Sequence, residues 1–148
     1  MDDLDKQILN IIQTDFPLAS RPYQIIAERL GTTESEILSR VRQLIESGVI
    51  RKIGPVFDSR KLGYESTLVA MKVPENRLLE VANIVNEFPQ VTHNYGRRHK
   101  YNLWFTLACQ NSSEIDNILS QIRAKTGISD ICLLPAERMF KIDVNFRF

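Results

Sequence analysis

Of the 148 residues only two are histidine, two cysteine and one tryptophan. Cys109 and Cys132 stand alone in apolar, strand-like surroundings, without CxxC spacing. That pattern excludes a disulfide-stapled mini-domain and offers no thiolate metal motif. They read as two small hydrophobes in a reducing compartment. No run of about 18 apolar residues exists, so no membrane span is expected. The start, Met1-Asp2-Asp3, is acidic, whereas a secretory signal opens basic and then turns apolar. The expected location is therefore cytoplasmic. There is no Gly-rich phosphate loop, no nucleophile elbow and no pair of catalytic carboxylates. Internal repeats and low-complexity stretches are absent too.

A strong charge is also missing. The formal net charge is +1. Residues 1–62 carry nine Lys or Arg and nine Asp or Glu, which sum to zero. Phosphate neutralisation supplies most non-specific DNA affinity, so a DNA-binding module normally carries a cationic excess. This half carries none, although a neutral domain can still hold a basic patch. What is present is a globular composition, 43% apolar and 25% charged. The length suits one ordinary domain or two small ones.

Helical periodicity dominates the first part. Leu4, Ile8, Leu9, Ile11 and Ile12 share a face, with Asp2 and Asp3 at the end that favours negative charge. Asp15-Phe16-Pro17 ends that helix. A second begins at Pro22 and closes at Gly31. Thr33-Glu34-Ser35-Glu36 reads as a capping box for a third, with Ile37, Leu38, Val41, Leu44 and Ile45 at helical spacing and a stop at Gly48. Three such helices with a tight turn form a helix-turn-helix. Val49–Ile53 and Val56-Phe57, separated by Gly54-Pro55, are expected to be the two strands of a wing. Arg40 and Arg42 on the third helix, and Arg51 and Lys52 after it, are candidate phosphate contacts or simply solvated cations.

From Gly63 the pattern changes. Strands are expected over Ser66–Val73, Gln90–Tyr95, Tyr101–Cys109 and Ile128–Leu134, with Met139–Val144 extending or following the last. Helices are expected over Glu75–Glu87 and Ser113–Lys125. The order β-α-β-β-α-β is the ferredoxin-like plan. The fold class is α+β: a winged helix-turn-helix over residues 1–62, then a ferredoxin-like domain over 63–148.

Both histidines and the tryptophan fall in one segment, Thr92-His93-Asn94-Tyr95-Gly96-Arg97-Arg98-His99-Lys100-Tyr101-Asn102-Leu103-Trp104-Phe105. Strand alternation puts His93 and Tyr95 on one face. Gly96 permits a turn, and His99 and Tyr101 are expected to return along the next strand. Such a hairpin suits a large, flat, polyanionic ligand. Arginines hold carboxylates bidentately, aromatic faces cover a ring, and an imidazole exchanges protons near neutral pH. The plain alternative is a hairpin with a solvated basic turn and a core tryptophan. No third ligand of the usual kind stands nearby, so no protein-held metal is expected.

The overall plan, with Arg40-Val41-Arg42-Gln43-Leu44-Ile45-Glu46-Ser47-Gly48-Val49-Ile50 at the end of the third helix, resembles the Lrp/AsnC family over nearly the whole chain. The His93–Phe105 segment resembles something narrower, the signature of siroheme decarboxylases, and Phe57–Tyr64 also fits. That resemblance implies loss of CO2 from the two ring acetates of siroheme, at C12 and C18. Of the implied site residues, His93 and His99 are candidates for the acid. Tyr95, Arg97, Arg98, Tyr101, Asn102 and Trp104 are candidates for substrate binding. No cofactor is implied beyond the substrate's own iron. A paralogous subunit is the implied partner, in a heterodimer or higher oligomer, with little DNA affinity. Two rival readings stay open: an Lrp/AsnC-type DNA-binding regulator, and a haem-binding sensor that uses the same face without turnover.

Overall fold

The computed structural model describes residues 1–142, 145, 146 and 148. They form two compact units. The first comprises Met1–Val56 with the described residues of the 141–148 tail, and the second is Phe57–Phe140. The described residues of the tail group with the first unit. The side-chain amide of Gln13 bonds the Phe146 backbone, accepting from its N–H at 3.0 Å.

The first unit is three helices: α1 (Asp3–Thr14), α2 (Pro22–Leu30) and α3 (Glu34–Glu46). Each starts where local chemistry allows it. Asp2 and Asp5 exchange side-chain and backbone bonds in a reciprocal capping box, satisfying donors that a helix start leaves open. Pro22 sits in the first turn of α2, and Gly31 closes it at φ +65°, a left-handed conformation that glycine takes without steric cost. The Thr33 hydroxyl caps α3 by accepting from Glu36 N–H. Ile8, Ile26, Ile37, Val41 and Leu44 make the core.

The wing differs from expectation. No strand occurs in residues 49–57. Ile50 donates its N–H to Leu44 O at 2.9 Å and buries its side chain in the helical core, with Ile53 packed against it. A lone two-stranded ribbon is marginal, and Pro55 lacks a donor, so the apolar run closes the helices rather than pairing with itself.

The second unit has four strands, β1 (Glu65–Met71), β2 (Val91–Gly96), β3 (Leu103–Cys109) and β4 (Ile131–Pro135), and two helices, α4 (Leu78–Asn86) and α5 (Ser112–Thr126). A 3-10 turn at Glu75–Arg77 replaces the expected first turn of α4. The sheet order is β2-β3-β1-β4, with every neighbouring pair antiparallel. Met139–Ile142 carry no strand, and Asp143 and Val144 of that expected strand lie outside the described residues.

One face of the sheet packs on both helices. Val69, Met71, Leu103, Phe105 and Leu107 meet Val81, Val85, Ile118, Leu119 and Ile122 there. Phe105 is fully buried; such a phenylalanine contributes about 3–5 kcal/mol against truncation to alanine. The other face carries no helix of this unit. Along β3 the alternation is strict, so Trp104, Thr106 and Ala108 point to that open face.

Candidate functional site

β2 would not reach the open face correctly if it were regular. Val91 pairs with Leu107 and packs against the helix-side core. His93 lies two residues on, and in a plain strand it would share that buried side. A bulge between Val91 and His93 shifts the register, so His93 pairs with Thr106 and Tyr95 with Trp104. Both therefore join the open face, and Asn94 turns inward, its amide donating to Ala82 O at 3.1 Å and to Asn86 Oδ1 at 2.9 Å. A bulge re-aims side chains in just this manner.

His99 and Tyr101 do not lie on the following strand as expected. They belong to the 97–102 turn, since β3 begins at Leu103. The turn nevertheless folds back over the open face. The His99 ring lies 6.3 Å from Trp104 and stacks at 6.2 Å on Tyr101, while His93 stacks at 6.2 Å on Tyr95. The Arg97 guanidinium sits over the Trp104 ring, 5.5 Å from its centre, a cation–π arrangement. Trp104 is only half-buried. It is thus part of the open face and not the core tryptophan of the plain alternative.

Asn102 is buried and serves as a staple. Its amide accepts from Val73 N at 2.9 Å and donates to Val73 O at 2.8 Å. Its backbone N–H donates to Met71 O, and its carbonyl accepts from Arg97 N. Its side chain is thereby committed to tying the turn to the end of β1. Arg98 and Lys100 are exposed, Lys100 over the Tyr101 ring at 5.7 Å.

Hydrogen bonds distinguish the two imidazoles. Tyr101 N–H donates to His99 Nδ1 at 3.1 Å. That nitrogen must carry a lone pair, so the proton of the neutral ring resides on Nε2. His93 Nδ1 contacts the Thr92 hydroxyl at 3.1 Å. A hydroxyl both donates and accepts, so His93 is free in its choice of tautomer. The Tyr101 hydroxyl donates to Asp130 Oδ1 at 3.0 Å. Hydrogen bonding with Cys132 and with Asp130 holds that phenol above its usual range, so it remains a donor. Asp130 is a group that pattern reasoning missed. Its only local signal is a polar pair, Ser129-Asp130, ahead of an apolar run, which reads as an ordinary loop.

Two surface clefts lie elsewhere. One of about 340 Å³ is lined by Met1, Asp5, Gln43, Leu44, Ser47 and Val49. The other, of about 250 Å³, lies beside Tyr64, Gln90 and Glu114. The histidine face is an open platform. Small side chains, Ala70 and Ala108, alternate along it with Leu68 and Leu134. Among the described residues no cluster of three His, Cys, Asp or Glu is placed to hold a metal ion. No helix among them is long and apolar enough to cross a membrane.

The arrangement has relatives. Residues 5–51 match a domain described as the siroheme decarboxylase NirDL-like HTH domain, and residues 61–141 match the AsnC-like ligand binding domain. The siroheme decarboxylase alpha subunit of Nitratidesulfovibrio vulgaris is 50% identical over 147 residues, covering 99% of this chain and 83% of that protein. The chain belongs to the siroheme decarboxylase family. In Stutzerimonas stutzeri two family members, 44% and 38% identical to this chain over 146 residues, are named as distinct NirD and NirG subunits. They are covered to 95% and 99% of their lengths, and each match covers 99% of this chain. A crystal structure of the siroheme decarboxylase NirDL with an iron-uroporphyrin III analogue superposes with a TM-score of 0.68 at 41% identity, covering 89% of this chain and 44% of that one. The chain thus spans about half the length of NirDL. The AsnC of E. coli superposes with a TM-score of 0.83 at 18% identity, covering 98% of this chain and 97% of that one, a likeness of fold. Siroheme decarboxylases and AsnC-type regulators therefore share one architecture.

Proposed function

We propose that this siroheme decarboxylase family member is a subunit that converts siroheme to didecarboxysiroheme, releasing CO2 from the C12 and C18 acetates. The observation that carries this is the bulge-directed convergence of His93, Tyr95, His99, Arg97 and Trp104 on one open sheet face. A flat macrocycle with many carboxylates needs that combination: a broad apolar floor, aromatic edges and cations at the rim.

The chemistry follows from the substrate. An acetate carbanion alone is too unstable to form. Protonation of the adjacent pyrrole carbon turns the ring into the electron sink. The carboxylate's C–C bond electrons then flow into the ring as CO2 leaves; a proton delivered to the exocyclic carbon completes the methyl group, and the ring carbon gives back the first proton. One proton is consumed for each CO2 released. The reaction needs no cofactor beyond the substrate's own macrocycle and iron. His93, free in tautomer beside Thr92, suits the proton donor. His99 presents Nε2–H and suits hydrogen bonding to a substrate carboxylate. Arg97 and Arg98 anchor neighbouring carboxylates, and Tyr95, Tyr101 and Trp104 pack the macrocycle. Asn102 supports them by holding the turn.

The open platform covers one side of a ligand. A paralogous subunit, as in relatives with two named subunits, is the partner that would cover the other. The free cysteines Cys109 and Cys132 fit a reducing, cytoplasmic setting. Anaerobic incubation with siroheme, followed by mass analysis, tests the reading. Two losses of CO2 per macrocycle are expected. Unchanged siroheme, tightly bound, would make the protein a sensor. The regulator reading rests on the helix-turn-helix. Salt-sensitive, sequence-selective binding in a DNA anisotropy titration would favour it.

A further inference from the structure

The 97–102 turn carries Arg97, Arg98, His99 and Tyr101 of the groups assigned to the ligand, yet it is a short irregular loop. What holds it is a set of bonds centred on Tyr101. Its N–H donates to His99 Nδ1 at 3.1 Å, its carbonyl accepts from Trp104 Nε1 at 2.6 Å, and its hydroxyl donates to Asp130 Oδ1 at 3.0 Å. Asp130 is itself fixed, because its carbonyl accepts from Lys72 N at 3.0 Å, just past the end of β1. The chain of contacts runs from a fixed backbone point, through one phenol, to the ring of His99 and the indole of Trp104.

We propose that Asp130 is a positioning residue: by accepting from the Tyr101 hydroxyl it sets the 97–102 turn, and through that turn it fixes the tautomer of His99 and the tilt of Trp104. Asp130 touches no reacting atom in this scheme. A carboxylate is the suitable acceptor, because a charge-assisted bond to a phenol is stronger than a neutral one. The bond also ties together segments 29 residues apart in sequence, which explains why no local pattern announces it. The consequence for turnover rests on the decarboxylase reading, whereas the consequence for the His99 ring does not.

The test is a cycle of Tyr101→Phe, Asp130→Ala and the double variant, with Asp130→Asn as the conservative change, in the assembled enzyme. The first readout is the ¹⁵N–¹H spectrum of labelled histidine side chains, with His99 assigned by comparison with His93→Gln. Wild type and Asp130→Asn should show His99 with its proton on Nε2. Tyr101→Phe and Asp130→Ala should each show mixed tautomers. An unchanged His99 spectrum in both would overturn the proposal, whether or not the protein turns over siroheme. The second readout is kinetic. Each single variant should lose roughly three- to tenfold in kcat, the worth of one hydrogen bond, with KM little altered. The double variant should lose no more than either single. Losses that multiply in the double variant would show that Asp130 and Tyr101 act separately, which also overturns it. Absence of turnover in wild type would instead count against the decarboxylase reading and leave the spectroscopic result to decide on Asp130.

Discussion

The hairpin face of the second unit and the third helix of the first unit treat their cations in opposite ways. On the hairpin, Arg97 lies over Trp104 and is held by no carboxylate partner that would blunt its charge among the described ion pairs. On α3, which holds the place of the recognition helix in a helix-turn-helix, Arg40 is surrounded. It bonds Asp2, Asp5 at 3.2 Å and Glu36 at 2.7 Å. Three carboxylates face one guanidinium, and the outward face beside it exposes Leu38 and Ile45. The same architecture thus keeps the Arg97 charge available where a polyanionic ring would sit and neutralises Arg40 on α3, where Arg42 stands exposed outside the described ion pairs.

Replacement of the histidines should break this contrast most severely. His93→Ala should lower decarboxylation by roughly 10²–10⁴-fold while siroheme affinity changes little, because proton transfer acts on the transition state. Single-turnover kinetics alongside a binding titration separate the two. If affinity and rate fall in parallel, His93 binds rather than donates.

Arg97→Ala should act in the other direction. A bond between charged groups is worth about 1.5–3 kcal/mol, so the siroheme Kd should rise by roughly 10- to 100-fold with saturated turnover largely kept. Loss of turnover at saturation, with affinity intact, would move Arg97 from anchor to reacting group.

The smallest effect is expected on α3, and it sharpens the other side of the comparison. The Arg40 guanidinium, helped by the Asp5 backbone N–H, lowers the Asp2 carboxyl pKa to about 2. A carboxylate depressed in the folded state adds stability that is complete above its unfolded pKa and is lost as pH falls through the folded one. The gap in urea midpoint between wild type and Arg40→Gln should therefore be present at about pH 5 and shrink towards about pH 2. Asp2 is largely exposed, so solvent screening keeps the gap modest. A gap that is constant across this range would mean that Arg40 contributes by packing alone.

Much of this was legible in the sequence, and the exceptions share a cause. The bounds of α2 and α3 follow from Pro22, Gly31 and Thr33, which act on their own neighbours. The β-α-β-β-α-β order follows from periodicity. The His93–Trp104 segment was recognisable because its unusual residues are consecutive. The wing was misread because Val49–Ile53 has strand composition, while its fate is settled by the space that Ile50 fills among three helices. His99 and Tyr101 were placed on a strand because the length of a turn depends on the staple between Asn102 and Val73, residues far apart in the chain. Asp130 was missed for the same reason. Neighbour-to-neighbour rules see caps and periods; they do not see which distant groups meet.

The bulge in β2 has a further meaning for how such a site is acquired or lost. Side-chain direction in a strand is a matter of parity, odd or even, and one unpaired residue changes it for everything downstream. Were Thr92 paired in a regular ladder instead of bulged, no chemical group in the His93–Trp104 set would change, yet the two sides would be exchanged. His93 and Tyr95 would turn towards α4, and the positions between them would come to face the ligand. The difference between a sheet that displays these two rings and one that hides them is therefore whether a single residue is left out of the ladder, with no new chemistry required.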